Sequence, residues 1–245
     1  MARVLESFVE PVKRCVYLSD QLAAQEVRIM LDVSPEEYEA LLVRGHRRFG
    51  PVYFRPACSA CAECMSIRVP TALFRPSQSQ RRAARACREL RVSVGQPFID
   101  GERLSLYAKW HARREEERGW APAPADRDAY YQSFAFPHPS VREIAFHDDS
   151  AGGRLVGVGI SDETPHAWSA VYFFYDPDYA RRSLGVANVL TQISLARARG
   201  IPYVYLGYRV EGCPSLVYKS QYRPHELLVG RPGPDEEPCW LPQSR

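Results

Sequence analysis

Three thiols stand at even spacing in the stretch RPACSACAEC: Cys58, Cys61 and Cys64. A C-x-x-C pair in a tight turn brings two thiolates onto one ion, and a third thiolate three residues later can join them. A fourth must come from elsewhere, and Cys15, in KRCVYL, is the candidate; Cys87 lies in an arginine-rich segment, and Cys213 and Cys239 are far along the chain. Four thiolates suit either Zn²⁺ or an iron–sulfur cluster. Seven cysteines in 245 residues are too few for a disulfide scaffold, and in a reducing compartment closely spaced thiols bind metal or do redox work. The plainer alternative is three reduced, unliganded small residues in a loop.

A second group of residues suits phosphate. In YDPDYARRSLGVANVL a strand ends at Tyr175, a loop carries Arg181 and Arg182, and a helix starts near Ser183 or Leu184. Free N–H groups and the dipole at such a start attract phosphate or carboxylate. Arg182 to Ala187 fits R-x-x-G-x-A with Gly185 at its centre, and this resembles the pyrophosphate loop of the GNAT acyltransferases. Arg75, Arg81, Arg82, Arg85, Arg88 and Arg91 cluster with Glu89 as the only acid among them. Arg81, Arg85 and Arg88 recur at i, i+4 and i+7, and Arg82 and Arg85 at i and i+3, so a helix would line them up as a stripe. Such a stripe gives salt-dependent RNA affinity, with a merely solvated face as the alternative. Third, YVYLGYRVEG and YKSQYRP place Tyr203, Tyr205 and Tyr208 near Glu211, Tyr218 and Lys219. Phenols in a cleft can stack on a base or orient an ester.

These groups need elements to hold them. SPEEYEALLVRG reads as a helix with Ser34 as N-cap, Pro35 at N1, Glu37 closing a capping box and Gly45 as terminator. PVYFRP reads as a short strand leading into the cysteine block. SQSQRRAARACREL is a helix capped near Ser77, ERLSLYAKWHARREEERG a third and ADRDAYYQSFAF a fourth. RLVGVGIS and AWSAVYFFYDP are neighbouring strands, SLGVANVLTQISLARARG a long helix ending at Gly200, and PYVYLGY a buried strand. Strand, strand, loop, helix, strand is the order of an α/β sheet with a crossover helix, here in an α/β (α+β) chain. The expected division is an N-terminal cysteine- and arginine-rich region over 1–95, a GNAT-like domain over 96–230 and a disordered Pro-, Gly- and acid-rich tail over 231–245.

Composition sets outer bounds. A 45% hydrophobic and 25% charged chain is globular. No apolar run approaches the length of a membrane span, and MARVLESFVEPVKR lacks the pattern of a signal peptide, so the expected compartment is the cytoplasm. The net charge of +3 predicts no partner by itself.

Together the motifs resemble a known family. CVYLSD, RGHRRFGPVYFRPACSACAECMSIRV, FRPSQSQRR, AVYFFYDPDYARRSLG, YVYLGYRVEGCPSLVYK and YRPHELL run in family order from Cys15 to about Leu228. They resemble the bacterial aminoacyl-tRNA–protein transferases, the aspartate/glutamate leucyltransferase (Bpt-type) branch of the arginyl-tRNA–protein transferase (ATE) family. The resemblance implies transfer of Leu or Arg from charged tRNA to the N-terminal α-amine of proteins beginning with Asp or Glu, as in N-degron degradation. It implies a GNAT-like C-terminal domain. It also implies an iron–sulfur cluster as one occupant of Cys15, Cys58, Cys61 and Cys64, although the chemistry needs no cofactor. The chain departs from the family pattern at Gln21, Phe49 and Arg113–Trp120.

The reaction expected is aminolysis of an activated ester, in a cleft between VYFFYDP, which brings Tyr172, and YVYLGY. Asp176 or Glu211 would take the amine proton, and Tyr205, Tyr208 or Lys219 would polarise the ester. Arg47 and Arg48 would pair with the acceptor's acidic side chain. Arg181, Arg182, Ser183 and Gly185 would face the tRNA 3′ end, and Arg81, Arg82, Arg85 and Arg88 its backbone. The competing readings are an acetyl-CoA-dependent N-acetyltransferase and a non-catalytic tRNA-binding metalloprotein.

Overall fold

The N-terminal helix forms where its sequence signals place it. In the computed structural model, which describes residues 1–119, 122 and 124–243, α1 spans Pro35–Leu42. The Ser34 and Glu37 side chains and backbones bond reciprocally at its start. α2, Gln78–Ala86, has the same box from Ser77 and Gln80. α3, Gly101–Arg118, starts at an Asp100 cap and stops at Gly119 in the left-handed region. α4, Arg127–Tyr130, runs on as one wide turn through Ala135. α5 is Leu184–Ala198 and α6 is Pro214–Val217.

Two main sheets carry the strands. The smaller has four, in order β1 (Arg3–Val9), β4 (Gln25–Leu31), β6 (Val52–Pro56) and β5 (Arg47–Phe49), all antiparallel. β2 (Lys13–Arg14) and β3 (Leu22–Ala23) form a minimal hairpin beside it. The larger has eight, in order β14 (Trp240–Gln243), β13 (His225–Leu228), β7 (Met65–Pro70), β12 (Tyr203–Arg209), β11 (Ala167–Tyr175), β10 (Arg154–Glu163), β9 (Val141–Asp148) and β8 (Arg91–Gly95). Among the described residues only β11 and β12 run parallel. α5 makes the crossover between them, as the strand–loop–helix–strand pattern requires.

α5 and α2 cover one face of the large sheet. There Ile67, Val69, Trp168, Leu184, Ile193, Val204 and Leu206 form the main core. Trp168 is fully buried and its indole donates to Gln192 at 3.1 Å. α3 and α4 cover the other face with Trp110, Tyr107, Tyr130 and Phe134 against Ile160 and Phe174.

Two expected boundaries change. Residues 1–95 are not a separate layer, because β7 inserts between β12 and β13 and β8 closes the far edge. The tail is not disordered either. β14 pairs with β13, Trp240 packs edge-on against Tyr205 at 5.4 Å, and Arg44 donates to the carbonyls of Gly233, Pro234 and Glu236. These partners are distant in sequence, so local composition misleads there. Trp120, in the divergent stretch, lies outside the described residues.

Candidate functional site

The cleft follows from an incomplete strand pair. β12 follows β11 in parallel register only over Ala167–Ser169 against Tyr203–Tyr205. Beyond Ser169, β11 continues on β10 as far as Tyr175, while β12 continues on β7 as far as Arg209. The two therefore part into a wedge, and backbone groups along its inner edges lose their ladder partners.

The β5–β6 hairpin fills the mouth of this wedge. Arg47 pairs with Phe54, Arg48 with Tyr53 and Phe49 with Val52. Strand alternation puts Arg47, Phe49 and Phe54 on one face and Arg48 and Tyr53 on the other. The second face is closed: Arg48 is buried in an ion pair with Asp162 and also donates to the Gly50 carbonyl at 2.9 Å, and the Tyr53 hydroxyl meets His138 Nε2 at 3.0 Å. Arg48 is thus committed inside the protein and is not available to a substrate carboxylate. On the first face Arg47 is 8% exposed and donates to the Ala170 carbonyl, one of the groups orphaned by the parting strands. Its other terminal nitrogen is buried without a partner. Among the described residues no carboxylate forms an ion pair with it.

Lys219 meets Arg47 in the wedge. It lies in the single turn Tyr218–Gln221. Its ammonium end donates to the Tyr208 carbonyl at 2.9 Å, on the opposite inner edge. Gly207, at φ +83°, makes room for both cations. A Cβ there would stand 3.4 Å from Lys219 Nζ and 3.7 Å from the Arg47 guanidinium carbon. Burial, and then the Arg47 charge, pushes the Lys219 amine down to about 7; Cys213 and Cys64 act weakly the other way. Half of such amines are neutral near pH 7.

The other expected catalytic groups are occupied. Asp176, 1% exposed, is held by Arg154 and by Lys109 at 2.6 Å, and it caps the Asp178 N–H at 3.0 Å. Glu211 is exposed and pairs with Arg209. The Tyr208 hydroxyl donates to the Gly45 carbonyl at 2.8 Å, and burial raises its pKa. Tyr205 accepts from Arg68 at 3.1 Å under Trp240, and burial raises its pKa too. Asp176, Glu211 and the Tyr208 hydroxyl thus already have partners, and the Tyr205 oxygen already accepts from Arg68. Tyr172 is half-buried on the face of β11 that α3 covers, beside Phe49, with its hydroxyl 3.2 Å from His111 Nε2 and its pKa pushed up to about 12 by burial.

The arginines gather outside the cleft. Arg81, Arg82, Arg85 and Arg88 are exposed, while Gln80 and Ala83 are buried on the face of α2 that packs on α5. Cys87, at the end of α2, donates its thiol to the Arg182 carbonyl at 3.2 Å. This joins the arginine stripe to the turn Pro177–Arg182. Arg181 is exposed there, and Arg182 stands over the Tyr179 ring at 5.1 Å. Ser183 takes φ +58° as α5 begins, with no side-chain cap, and Gly185 faces open space. A phosphodiester chain would find a basic, open helix start beside a basic helix.

Cys15, Cys58, Cys61 and Cys64 are half-buried around one cavity of about 120 Å³, with Tyr17, Leu18, Tyr208 and Arg231. Burial, then Cys15, Cys58 and Cys61, push the Cys64 thiol up to about 12. Among the described residues no three His, Cys, Asp or Glu side chains already form a coordination shell. The donor set is soft and fourfold, as Zn²⁺ or an iron–sulfur cluster requires, but its side chains would have to turn inward to bind. Sequence reasoning missed Arg231, which donates to the Cys58 and Cys61 carbonyls at 2.6 and 2.5 Å. No local pattern marks that contact, because its partners lie 170 and 173 residues apart.

Comparison with known proteins covers both halves. The family model for the arginine-tRNA-protein transferase C terminus matches residues 102–229, and that for its N terminus matches residues 13–82. The aspartate/glutamate leucyltransferase of Helicobacter hepaticus is 32% identical over 96% of this chain and 97% of its own length. That of Halorhodospira halophila is 37% identical over 89% and 91%, and that of Saccharophagus degradans 37% identical over 92% and 94%. Among solved structures, FemX is similar over 82% of this chain and 68% of its own, at 9% identity and a TM-score of 0.49. No helix among the described residues is long and apolar enough to cross a membrane.

Proposed function

The chain belongs to the arginine-tRNA–protein transferase family, and from that premise we propose that it moves leucine from charged tRNA onto the N-terminal α-amine of proteins beginning with Asp or Glu. One observation supports the placement of this chemistry: the Arg47 guanidinium and the Lys219 amine meet in the wedge between β11 and β12, and among the described residues no carboxylate forms an ion pair with either. An acceptor side-chain carboxylate supplies the missing charge, paired with the free Arg47 nitrogen. The acceptor amine then lies beside Lys219.

The chemistry balances with these groups alone. The α-amine, with an ordinary pKa of about 7.7–8.0, attacks the ester carbonyl as the free base. Neutral Lys219 takes the proton as the C–N bond forms, and the same proton passes to the ribose oxygen as the C–O bond breaks. The ester is already activated, so holding its carbonyl against the amine supplies most of the rate. The tRNA 3′ end enters past Arg181, Arg182 and the start of α5, and Arg81, Arg82, Arg85 and Arg88 extend its backbone contact.

Leucine suits this wedge better than arginine. A second full positive charge beside the Arg47 guanidinium would be repelled, whereas an isobutyl group would not. Cys15, Cys58, Cys61 and Cys64 would hold a Zn²⁺ ion or an iron–sulfur cluster that pins the N-terminal segment to β12. Every step above uses other residues.

The test is transfer itself. Purified protein is given leucyl- or arginyl-tRNA and peptides beginning with Asp, Glu or Ala. Labelled leucine on the Asp and Glu peptides alone supports the reading. Acetylation of the same peptides from acetyl-CoA without tRNA, or no transfer by folded protein, contradicts it.

A further inference from the structure

We propose that Phe49 and Phe54 form the wall against which the transferred amino acid's side chain packs, and that Phe49 sets the size of residue accepted. This rests on the transferase reading above.

The argument begins from the hairpin. Arg47, Phe49 and Phe54 share the face of β5–β6 that looks into the wedge. The two phenyl rings are stacked, with centroids 5.7 Å apart and planes 19° apart. Phe49 reaches Tyr172 on β11 at 6.4 Å and Phe134 at 6.2 Å. Phe54 packs in the cluster of Tyr208 and Val210 at the β12 side. The stacked pair therefore bridges the two strands just where they part. Both phenyls are only half-buried, so each keeps a ring surface that the fold does not cover.

The chemistry of the wedge is thus divided. Its cationic part, Arg47 and Lys219, suits the acceptor carboxylate and the reacting groups. Its aromatic part, the Phe49 and Phe54 rings, has no polar atom of its own. Of the reactants, the aliphatic side chain on the ester and the 3′ terminal base both suit an apolar surface; with the tRNA end entering past Arg181 and Arg182, the phenyl pair beside Arg47 falls to the side chain. A ring gained or lost at position 49 changes the room for that side chain without touching Arg47 or Lys219. Discrimination by an apolar pocket runs at about 10- to 200-fold per methylene-sized difference.

The experiment compares leucyl-, phenylalanyl- and alanyl-tRNA as donors to one Asp peptide, with wild type, Phe49→Ala and Phe49→Trp. The readout is the ratio of initial rates between donors, which partial misfolding does not move. Phe49→Ala is expected to raise the phenylalanyl-to-leucyl ratio at least 10-fold. Phe49→Trp is expected to lower the leucyl-to-alanyl ratio by a similar factor. If both variants keep the wild-type ratios, whatever their total activity, the proposal is overturned. If the wild type moves no amino acid from any of the three tRNAs, the transferase reading itself fails. Thermal melts of each variant confirm which protein is folded, and Phe49→Leu stands in for Phe49→Ala if that variant does not fold.

Discussion

Lys219 offers the most direct quantitative prediction. An ordinary lysine, at 10.5, is neutral in only about one molecule in 3,000 at pH 7, whereas an amine pushed down to about 7 is neutral in about half. The wedge therefore raises the population of free base by about three orders of magnitude without changing the residue. Removing a positioned general base costs about 10²–10⁴ in rate. Lys219→Met should lower kcat within that range and leave the KM for the Asp peptide within a few-fold. The sign of the pH effect follows from the cause. Burial and the Arg47 charge disfavour the ammonium, so activity should climb as pH rises through about 7, climb again as the acceptor α-amine loses its proton near about 7.7–8.0, and level off above about 9; Lys219→Met should keep only the second step. Single-turnover rates at saturating leucyl-tRNA, corrected for spontaneous ester hydrolysis, give this profile. The same depression makes the folded state bind fewer protons than the unfolded chain between about 7 and 10.5. This group therefore opposes folding most below pH 7, and its effect fades as pH rises. Arg47→Gln should move the rate profile to higher pH, since it removes the second cause of the shift. A Lys219→Met protein with wild-type kcat, or a flat profile between pH 6 and 8.5, would refute the assignment.

Two further outcomes test other parts of the account. Asp162 is fully buried against Arg48. Asp162→Ala should therefore cost about 3–5 kcal/mol in denaturant unfolding, because it strands a buried guanidinium. The triple variant Arg81→Ala, Arg85→Ala, Arg88→Ala should weaken tRNA binding and cut the slope of log Kd against log salt by about 2–3, with kcat unchanged at saturating tRNA. An unchanged slope would return that helix to the status of a solvated face.

Much of the framework was legible because its signals are local. The Ser34–Glu37 and Ser77–Gln80 boxes mark two helices within four residues each. The run from Ala167 to Arg209 shows its strand, helix and strand periods in order. What could not be read locally depends on distant partners. MSIRVP became a strand in the middle of the large sheet, paired with β12 and β13 far along the chain. The Pro-rich tail closes the small sheet onto the large one through Arg231, Arg44 and Trp240. At the site, adjacency misled and alternation decided. Arg47 and Arg48 are neighbours in sequence, yet a strand sends one into the wedge and the other into a buried pair with Asp162. Asp176 looked free at a strand end, but Arg154 and Lys109, from other elements, occupy it. Lys219 was picked out by its tyrosine-rich setting; its depressed pKa needs Gly207 and Arg47, which only the folded chain brings beside it.

The central claim is that Arg47 waits uncompensated in the wedge for the acceptor's carboxylate. Its most direct test is the rate ratio for leucine transfer to otherwise identical peptides beginning with Asp and with Asn, in wild type and Arg47→Gln. The wild type should favour Asp by about 10-fold or more, as expected for a charge-assisted pair, and Arg47→Gln should bring the ratio near unity with residual transfer to both. An Arg47→Gln protein that still favours Asp as strongly as the wild type would contradict the account.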